Sequence, residues 1–129
     1  MIVALGIECI DSERFERAML RRGDRLLERL FSDEEQRASG TGRRRHERLA
    51  ARFAAKVAAR KALFGAPFSG ATRWRDFEID RAATGRPSLR LHGAAHRRAE
   101  ALGIVRVHLT LTHDAPACVG HVILEGADG

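Results

Sequence analysis

The chain has 129 residues and a hydrophobic fraction of 44%, enough for one domain with its own core, and we predict a single domain over residues 1–129. Its apolar runs are shorter than the roughly 20 residues that cross a bilayer, which argues against a membrane-spanning protein. Basic residues outnumber acidic ones by 23 to 17, so the net charge is +6 and an anionic partner is expected: a nucleic acid, an acidic protein or a phosphorylated cofactor.

The first half of the chain is predicted to begin with a strand and a helix. Residues 2–8 form an apolar run that is typical of a buried strand and lacks the basic leader of a secretion signal. Asp11 and Ser12 then offer capping oxygens for a helix that reaches Arg22, where Gly23 ends it.

Three more helical segments are predicted before the chain changes its period. A short one spans residues 26–30, and the next begins at the S-x-x-E capping box of Ser32 and Glu35. The longest helix runs over residues 46–64 and is rich in alanine, which favours helix and permits close packing. Gly65 ends this helix, and a loop over residues 66–70 follows.

The second half alternates in the manner of strands. Strands are predicted over residues 74–79 and 89–91, a helix over 94–102, and two further strands over 105–112 and 117–124. This order predicts an α+β domain in which a small, mostly antiparallel sheet packs against one long helix.

Both cysteines, Cys9 and Cys118, lie in apolar runs, far apart and in no metal-ligand spacing. We expect both to be buried free thiols, the alternative being a disulfide between them. Free thiols are typical of cytoplasmic proteins, so we predict a cytoplasmic location.

Four segments of the sequence carry the functional signal. They are Gly6-Ile7-Glu8 with Glu13-Arg14-Phe15, Arg52-Phe53-Ala54-Ala55-Lys56-Val57 with Lys61-Ala62-Leu63, Gly85-Arg86-Pro87, and His108-Leu109-Thr110-Leu111-Thr112-His113. In this order and at this total length, the chain resembles the holo-acyl-carrier-protein synthases, the short bacterial type of 4'-phosphopantetheinyl transferase. The resemblance implies the α+β fold of that family.

The resemblance also implies an activity: transfer of 4'-phosphopantetheine from coenzyme A to a serine of an apo acyl carrier protein. In the family, two carboxylates hold magnesium at the positions of Glu8 and Val57, which makes Glu8 the metal ligand and, with Lys61, a catalytic residue. Lys61 follows Val57 by one helical turn and would protonate the leaving oxygen. The residues expected to bind coenzyme A are Arg52, Lys61, Gly85, Arg86, Pro87, His108 and Thr110.

Partners are implied as well. Arg14, Arg17 and Arg21 share one face of the first helix and would dock an acidic carrier protein, although such a stripe is often only a solvated face. The family forms trimers with active sites shared between neighbouring subunits, so a homotrimer is expected. His113 is expected to support the turn before Pro116.

Two departures from the family pattern leave alternatives open. Glu8 replaces an aspartate and adds one methylene, and Val57 replaces a glutamate and cannot ligate a metal, which weakens the prediction of magnesium binding. A second hypothesis is therefore a relative that has lost transfer and binds a carrier protein or a coenzyme A derivative. A third, a small basic nucleic-acid binder, is disfavoured because an aromatic content of 5% leaves few stacking platforms.

Overall fold

A long central helix lies against a three-stranded antiparallel sheet in the computed structural model, which describes residues 1–65 and 72–128. In chain order the elements are β1 (Ile2–Asp11), α1 (Ser12–Arg22), α2 (Asp24–Leu30), α3 (Asp33–Ala38), α4 (Arg45–Phe64), β2 (Phe77–Arg81), β3 (Pro87–Leu91), α5 (Gly93–Ala101), β4 (Ile104–Asp114) and β5 (Ala117–Gly126). The α+β class is confirmed, and the loop predicted over residues 66–70 lies outside the described residues.

The predicted helix starts are confirmed at both α1 and α3. Asp11 precedes α1, and its Oδ1 accepts hydrogen bonds from the backbone N–H groups of Glu13 at 2.9 Å and Arg14 at 3.0 Å. Ser32 and Glu35 form the reciprocal capping box of α3, in which each side chain accepts from the other residue's backbone N–H. These local side-chain signals therefore decide where the helices begin.

The strands form two sheets, whereas the sequence predicted one. The larger sheet has the order β1-β5-β4, and β2 with β3 forms a separate hairpin. The strand predicted over residues 74–79 is also shorter than expected, because Trp74–Asp76 is a 3-10 turn and β2 begins at Phe77. Alternation along one segment indicates a strand but carries no information about which strand it pairs with.

Two glycines allow the large sheet to approach α4 unusually closely. A Cβ placed on Gly6 would lie 2.0 Å from the carbonyl oxygen of Ala58, and one on Gly120 would lie 2.3 Å from the backbone nitrogen of Ala55. Both alanines are fully buried in the facing helix. The glycines of the sheet and the alanines of α4 thus act together, and they bring the end of β1 to the surface of that helix.

Replacing Gly120 by alanine is expected to destabilise the fold by about 2 kcal/mol or more, because the new methyl group meets helix backbone that cannot move aside. Urea denaturation measures this change in the free energy of unfolding. Gly126→Ala in the same strand is the matched control, since its nearest neighbour is a methyl group of the exposed Val3 side chain at 3.0 Å. Equal losses for the two variants would contradict the close-approach argument.

The two cysteines differ in burial, and both are free thiols. Cys118 is buried as predicted, and that burial raises the pKa of its thiol to about 11. The prediction was wrong for Cys9, which is exposed, because the odd-numbered residues of β1 point away from α4. Across residues 1–65 and 72–128, no helix combines the length and the apolar character that crossing a membrane requires.

Candidate functional site

An acid–base pair joins the sheet to the long helix. The Nζ of Lys61 donates a hydrogen bond to Oε2 of Glu8 at 2.6 Å, with the lysine side chain 44% exposed and the glutamate side chain 26% exposed. Gly6, two residues before Glu8, is the position at which β1 touches α4, so the close packing of strand and helix brings these two side chains together. A carboxylate and an ammonium group that water can reach are thereby held in hydrogen-bond contact.

Val57 lies one helical turn before Lys61 on α4 and is half-buried. Its side chain adds only hydrocarbon beside the pair. No group of three or more His, Cys, Asp or Glu side chains that could hold a metal ion occurs among the described residues. Glu8 is therefore the sole predicted metal ligand to which the sequence gives a carboxylate.

A basic cavity of about 260 Å³ lies between α4, the β2–β3 hairpin and the end of β4. Its lining includes Arg48, Arg52, Arg81, Pro87, Thr112 and His113. Three guanidinium groups line one small space, and such a space attracts an anion. The cavity thus contains two predicted cofactor-binding residues, Arg52 and Pro87, together with Arg48, Arg81 and His113, which were not predicted to bind.

Arg52 is a buried residue in the lining of this cavity. Its side chain is 4% exposed, one of its terminal nitrogens donates to the carbonyl of Arg48 at 3.3 Å, and its Nε finds no hydrogen-bond partner within residues 1–65 and 72–128. Burial lowers the pKa of the Arg52 guanidinium, and the positive charge of Arg81 lowers it further. A buried cation with an unsatisfied donor is stabilised by an anionic ligand such as a phosphate.

The predicted glycine turn shapes the hairpin beside the cavity. Gly85 has a φ of 86°, a left-handed conformation that glycine adopts without strain, and its N–H donates to the carbonyl of Ala82 at 2.8 Å. Arg86 follows as an exposed residue, and Pro87 begins β3. The turn therefore places the exposed Arg86 next to a residue that lines the cavity.

His108 and Thr110 lie on the other face of the sheet. In β4 they pair with Ile123 and His121 of β5, whereas the buried residues of β5 that face α4 alternate with these. Nε2 of His108 is 2.9 Å from a carboxylate oxygen of Glu125 on this outer face. Within one copy of the chain, the two residues are thus separated by the sheet from Glu8 and Lys61.

His113 lies on the inner face instead. In β4 it shares the inward side with Val107, Leu109 and Leu111, and it reaches the cavity that Arg52 lines. The strand alternation, continued by two more residues, would have indicated this side. That His113 supports the turn before Pro116 stays a prediction.

The arginine stripe of α1 lines a second surface feature. Arg14, Arg17 and Arg21 are exposed and line a shallow groove of about 540 Å³. The other side of the groove is formed by residues 9–11 of β1, which follow directly after Glu8. An acidic partner in this groove would approach the end of the strand that carries the acid–base pair.

Lys56, the residue before Val57 in the second motif, has a structural role that the sequence analysis did not identify. Its side chain is fully buried, and Nζ donates to Glu35 at 2.6 Å and to the carbonyls of Leu30 at 2.7 Å and Trp74 at 3.1 Å. Burial is the largest influence on the pKa of Lys56 and lowers it. This lysine joins four segments of the chain and is closed to any ligand.

The sequence of this chain matches a known protein family and its members. The family model for the 4'-phosphopantetheinyl transferase superfamily matches residues 4–118. A Solibacter usitatus protein named holo-[acyl-carrier-protein] synthase is 41% identical over 97% of this chain and 99% of its own length.

Two solved structures share the fold. The holo-[acyl-carrier-protein] synthase of Neisseria meningitidis superposes with a TM-score of 0.85, at 29% identity, over 97% of this chain and 99% of its own. The holo-(acyl-carrier-protein) synthase of Bacillus anthracis, in complex with CoA (3',5'-ADP), has a TM-score of 0.76 at 29% identity, over 98% and 99% of the two chains.

Proposed function

Since the chain belongs to the 4'-phosphopantetheinyl transferase superfamily, we propose that it transfers 4'-phosphopantetheine from coenzyme A to a serine of an apo acyl carrier protein. The observation that carries this proposal is the hydrogen-bonded pair of Glu8 and Lys61, which lies at the end of β1 beside the arginine-lined groove of α1. The complex of the Bacillus anthracis synthase with CoA supports coenzyme A as the donor.

The pair is suited to the proton transfers of this reaction. The serine hydroxyl forms a bond to the β-phosphorus of coenzyme A, and the bond from that phosphorus to the bridging oxygen breaks, releasing 3',5'-ADP. Glu8 accepts the hydroxyl proton and Lys61 donates one to the leaving oxygen. The 2.6 Å hydrogen bond between them lets the proton return to Lys61, so the pair ends the reaction as it began.

The basic cavity is the proposed site for phosphate groups of the cofactor. Arg52 supplies a buried cation with an unsatisfied donor, and Arg48, Arg81 and His113 surround the same space. Arg52 precedes Lys61 by nine residues on α4, roughly 13 Å along the helix, so this cluster would hold and neutralise a phosphate of the cofactor other than the reacting one. Arg86, exposed in the neighbouring hairpin, is proposed to add a further contact to the cofactor.

The carrier protein is proposed to dock on α1. Arg14, Arg17 and Arg21 present positive charge to an acidic surface, and the groove they line leads to residues 9–11 at the end of β1. A carrier bound there brings its serine toward Glu8. The free thiols of Cys9 and Cys118 support the proposal of a cytoplasmic location.

Intact-protein mass spectrometry tests the proposed function. Purified protein is incubated with coenzyme A, magnesium and an apo carrier, beside a known synthase as control. We expect the carrier to gain the mass of one phosphopantetheine group, and a carrier whose acceptor serine is replaced by alanine to remain unchanged. Absence of that mass on every carrier tried, while the control enzyme works, would contradict the proposal and favour a relative that binds without transferring.

A homotrimer is proposed from the family resemblance and from the outer face of the large sheet. On β1 the outer face carries Leu5 and Ile7, which are 59% and 61% exposed. A contiguous apolar strip of this kind marks an interaction surface. The same face carries His108 and Thr110, so assembly through it would bring these predicted cofactor contacts to a neighbouring copy.

Replacing Ile7 by aspartate is expected to convert the assembly to monomers, because burying an unpaired carboxylate in an apolar interface is costly. Light scattering coupled to gel filtration measures the molar mass, which should fall from about three chains to one. Leu20→Asp is the matched control, since Leu20 is 78% exposed on α1 and away from the sheet. A wild-type protein that is monomeric at working concentration would contradict the proposed assembly.

A further inference from the structure

The magnesium ion implied by the family resemblance does not fit the residues that this chain provides. Two protein carboxylates are expected at the metal, and one of the two positions is Val57. Among the described residues, no three His, Cys, Asp or Glu side chains come together as a candidate metal site. Magnesium binds oxygen ligands in a strict octahedron, and an isopropyl group offers none.

The remaining carboxylate is already engaged at both of its oxygens. Oε2 of Glu8 accepts from the ammonium group of Lys61 at 2.6 Å, and Oε1 accepts from the backbone N–H of Cys9 at 3.2 Å. A metal ion at Glu8 would compete with an ammonium group that already neutralises the carboxylate, and it would be repelled by that same positive charge. Glu8 by itself is therefore a weak metal ligand.

The carboxylates of Asp11 and Glu47 do not supply the missing ligand. Asp11 lies on the opposite face of β1 from Glu8, and its Oδ1 caps α1 by accepting from the backbone N–H groups of Glu13 and Arg14. Glu47 lies ten residues before Val57 on the same helix, which places the two backbones roughly 15 Å apart. The Glu47 carboxylate lies 4.0 Å from the guanidinium of Arg44.

We infer that residues 1–65 and 72–128 provide no magnesium site of their own and that the Lys61 ammonium, paired with Glu8, holds the cationic position beside the reacting phosphates. The role given to the Lys61 ammonium beside the phosphates rests on the proposed function. A divalent ion then reaches the reaction only as a complex with the pyrophosphate of coenzyme A, whose oxygens are good magnesium ligands. Val57 is the residue that separates this arrangement from one in which the protein itself binds the metal.

A manganese titration of the cofactor-free protein tests the metal site. Manganese prefers the same oxygen ligands as magnesium, and the electron paramagnetic resonance signal of the hydrated ion reports the unbound fraction. We expect Val57→Glu to bind manganese at least about tenfold more tightly than wild type, because it restores a second carboxylate. Val57→Gln, of similar size but uncharged, should behave as wild type.

Two results would overturn the inference: wild-type protein that binds manganese within about threefold of Val57→Glu, or a folded Val57→Glu protein that binds no better than Val57→Gln. Lys61→Gln supplies a further check, because removing the ammonium frees Glu8 and should also increase manganese binding. An unchanged affinity in Lys61→Gln would contradict the competition between lysine and metal.

The transfer assay separates this inference from the proposed function. If carrier modification occurs, its dependence on magnesium should follow the concentration of the magnesium complex of coenzyme A in wild type. A dependence on free magnesium at saturating complex would overturn the inference and leave the function in place. If no carrier is modified with any metal, the proposed function and the role given to the cofactor's phosphates fail, whereas the manganese titration decides on the protein's metal site alone.

Discussion

Replacing Lys61 by methionine is expected to lower the rate of phosphopantetheine transfer by about 10³-fold, since a positioned acid–base group contributes roughly 10²–10⁴-fold to a rate. Methionine keeps the length and the helical propensity of lysine but removes both the charge and the proton. The hydrogen bond to Glu8 is lost with them. Initial rates of carrier modification under saturating coenzyme A and carrier measure the effect.

The conservative variant Lys61→Arg separates charge from proton donation. Arginine keeps the positive charge but does not deprotonate in proteins, so it can hold a phosphate and cannot act as the acid. We therefore expect Lys61→Arg to retain most of its affinity for coenzyme A while its kcat stays close to that of the methionine variant. A folded Lys61→Met protein with a kcat within about threefold of wild type would show that the acid lies elsewhere.

Replacing Lys56 by methionine is expected to destabilise the protein by about 3–5 kcal/mol, which is the usual result of removing one partner of a buried ion pair. Glu35 would be left as a buried carboxylate whose remaining contacts are the N–H groups of Ser32 and Ile79. The carbonyls of Leu30 and Trp74 would also lose their donor. Urea denaturation measures the loss.

The double variant Lys56→Met with Glu35→Gln is the control for this interpretation. It removes the uncompensated charge but keeps an acceptor for Ser32, so it should be less destabilised than the two single variants added together. The two lysines of the chain are then distinguished by their effects: Lys56 variants that remain folded should keep their transfer rate, and Lys61 variants should keep their stability. A Lys56→Met protein that loses less than about 1 kcal/mol would contradict the structural role.

The local features of the fold could be predicted because their causes are local. The caps of α1 and α3 depend on side chains that reach backbone groups two or three residues away, as Asp11 and Ser32 do. The start of the long helix was predicted to within one residue. Its alanines permit close packing, as predicted, and they lie against the glycines of the sheet. The strands predicted to begin at residues 2 and 117 do so, but the division into two sheets could not be predicted, because pairing depends on residues distant in the chain.

For the site, residue identities alone indicated the chemistry and the fold decided the arrangement. Glu8, Arg52 and Lys61 were predicted from their motifs, and Val57 was identified as a departure from the sequence alone. The alternation along β4 puts His108 and His113 on opposite faces, and the fold decided that the face of His113 meets the cavity that Arg52 lines.

The separation in sequence between interacting residues explains both what could be predicted and what could not. Capping and periodicity act over a few residues and are written in consecutive side chains, whereas the meeting of Lys61 with Glu8 spans 53 positions and exists only because Gly6 and Gly120 let the sheet touch α4. Likewise, the sequence shows Lys56 only as one residue of a motif. The packing of four segments buries it against Glu35. Long-range contacts and the burial they cause are therefore properties of the folded chain.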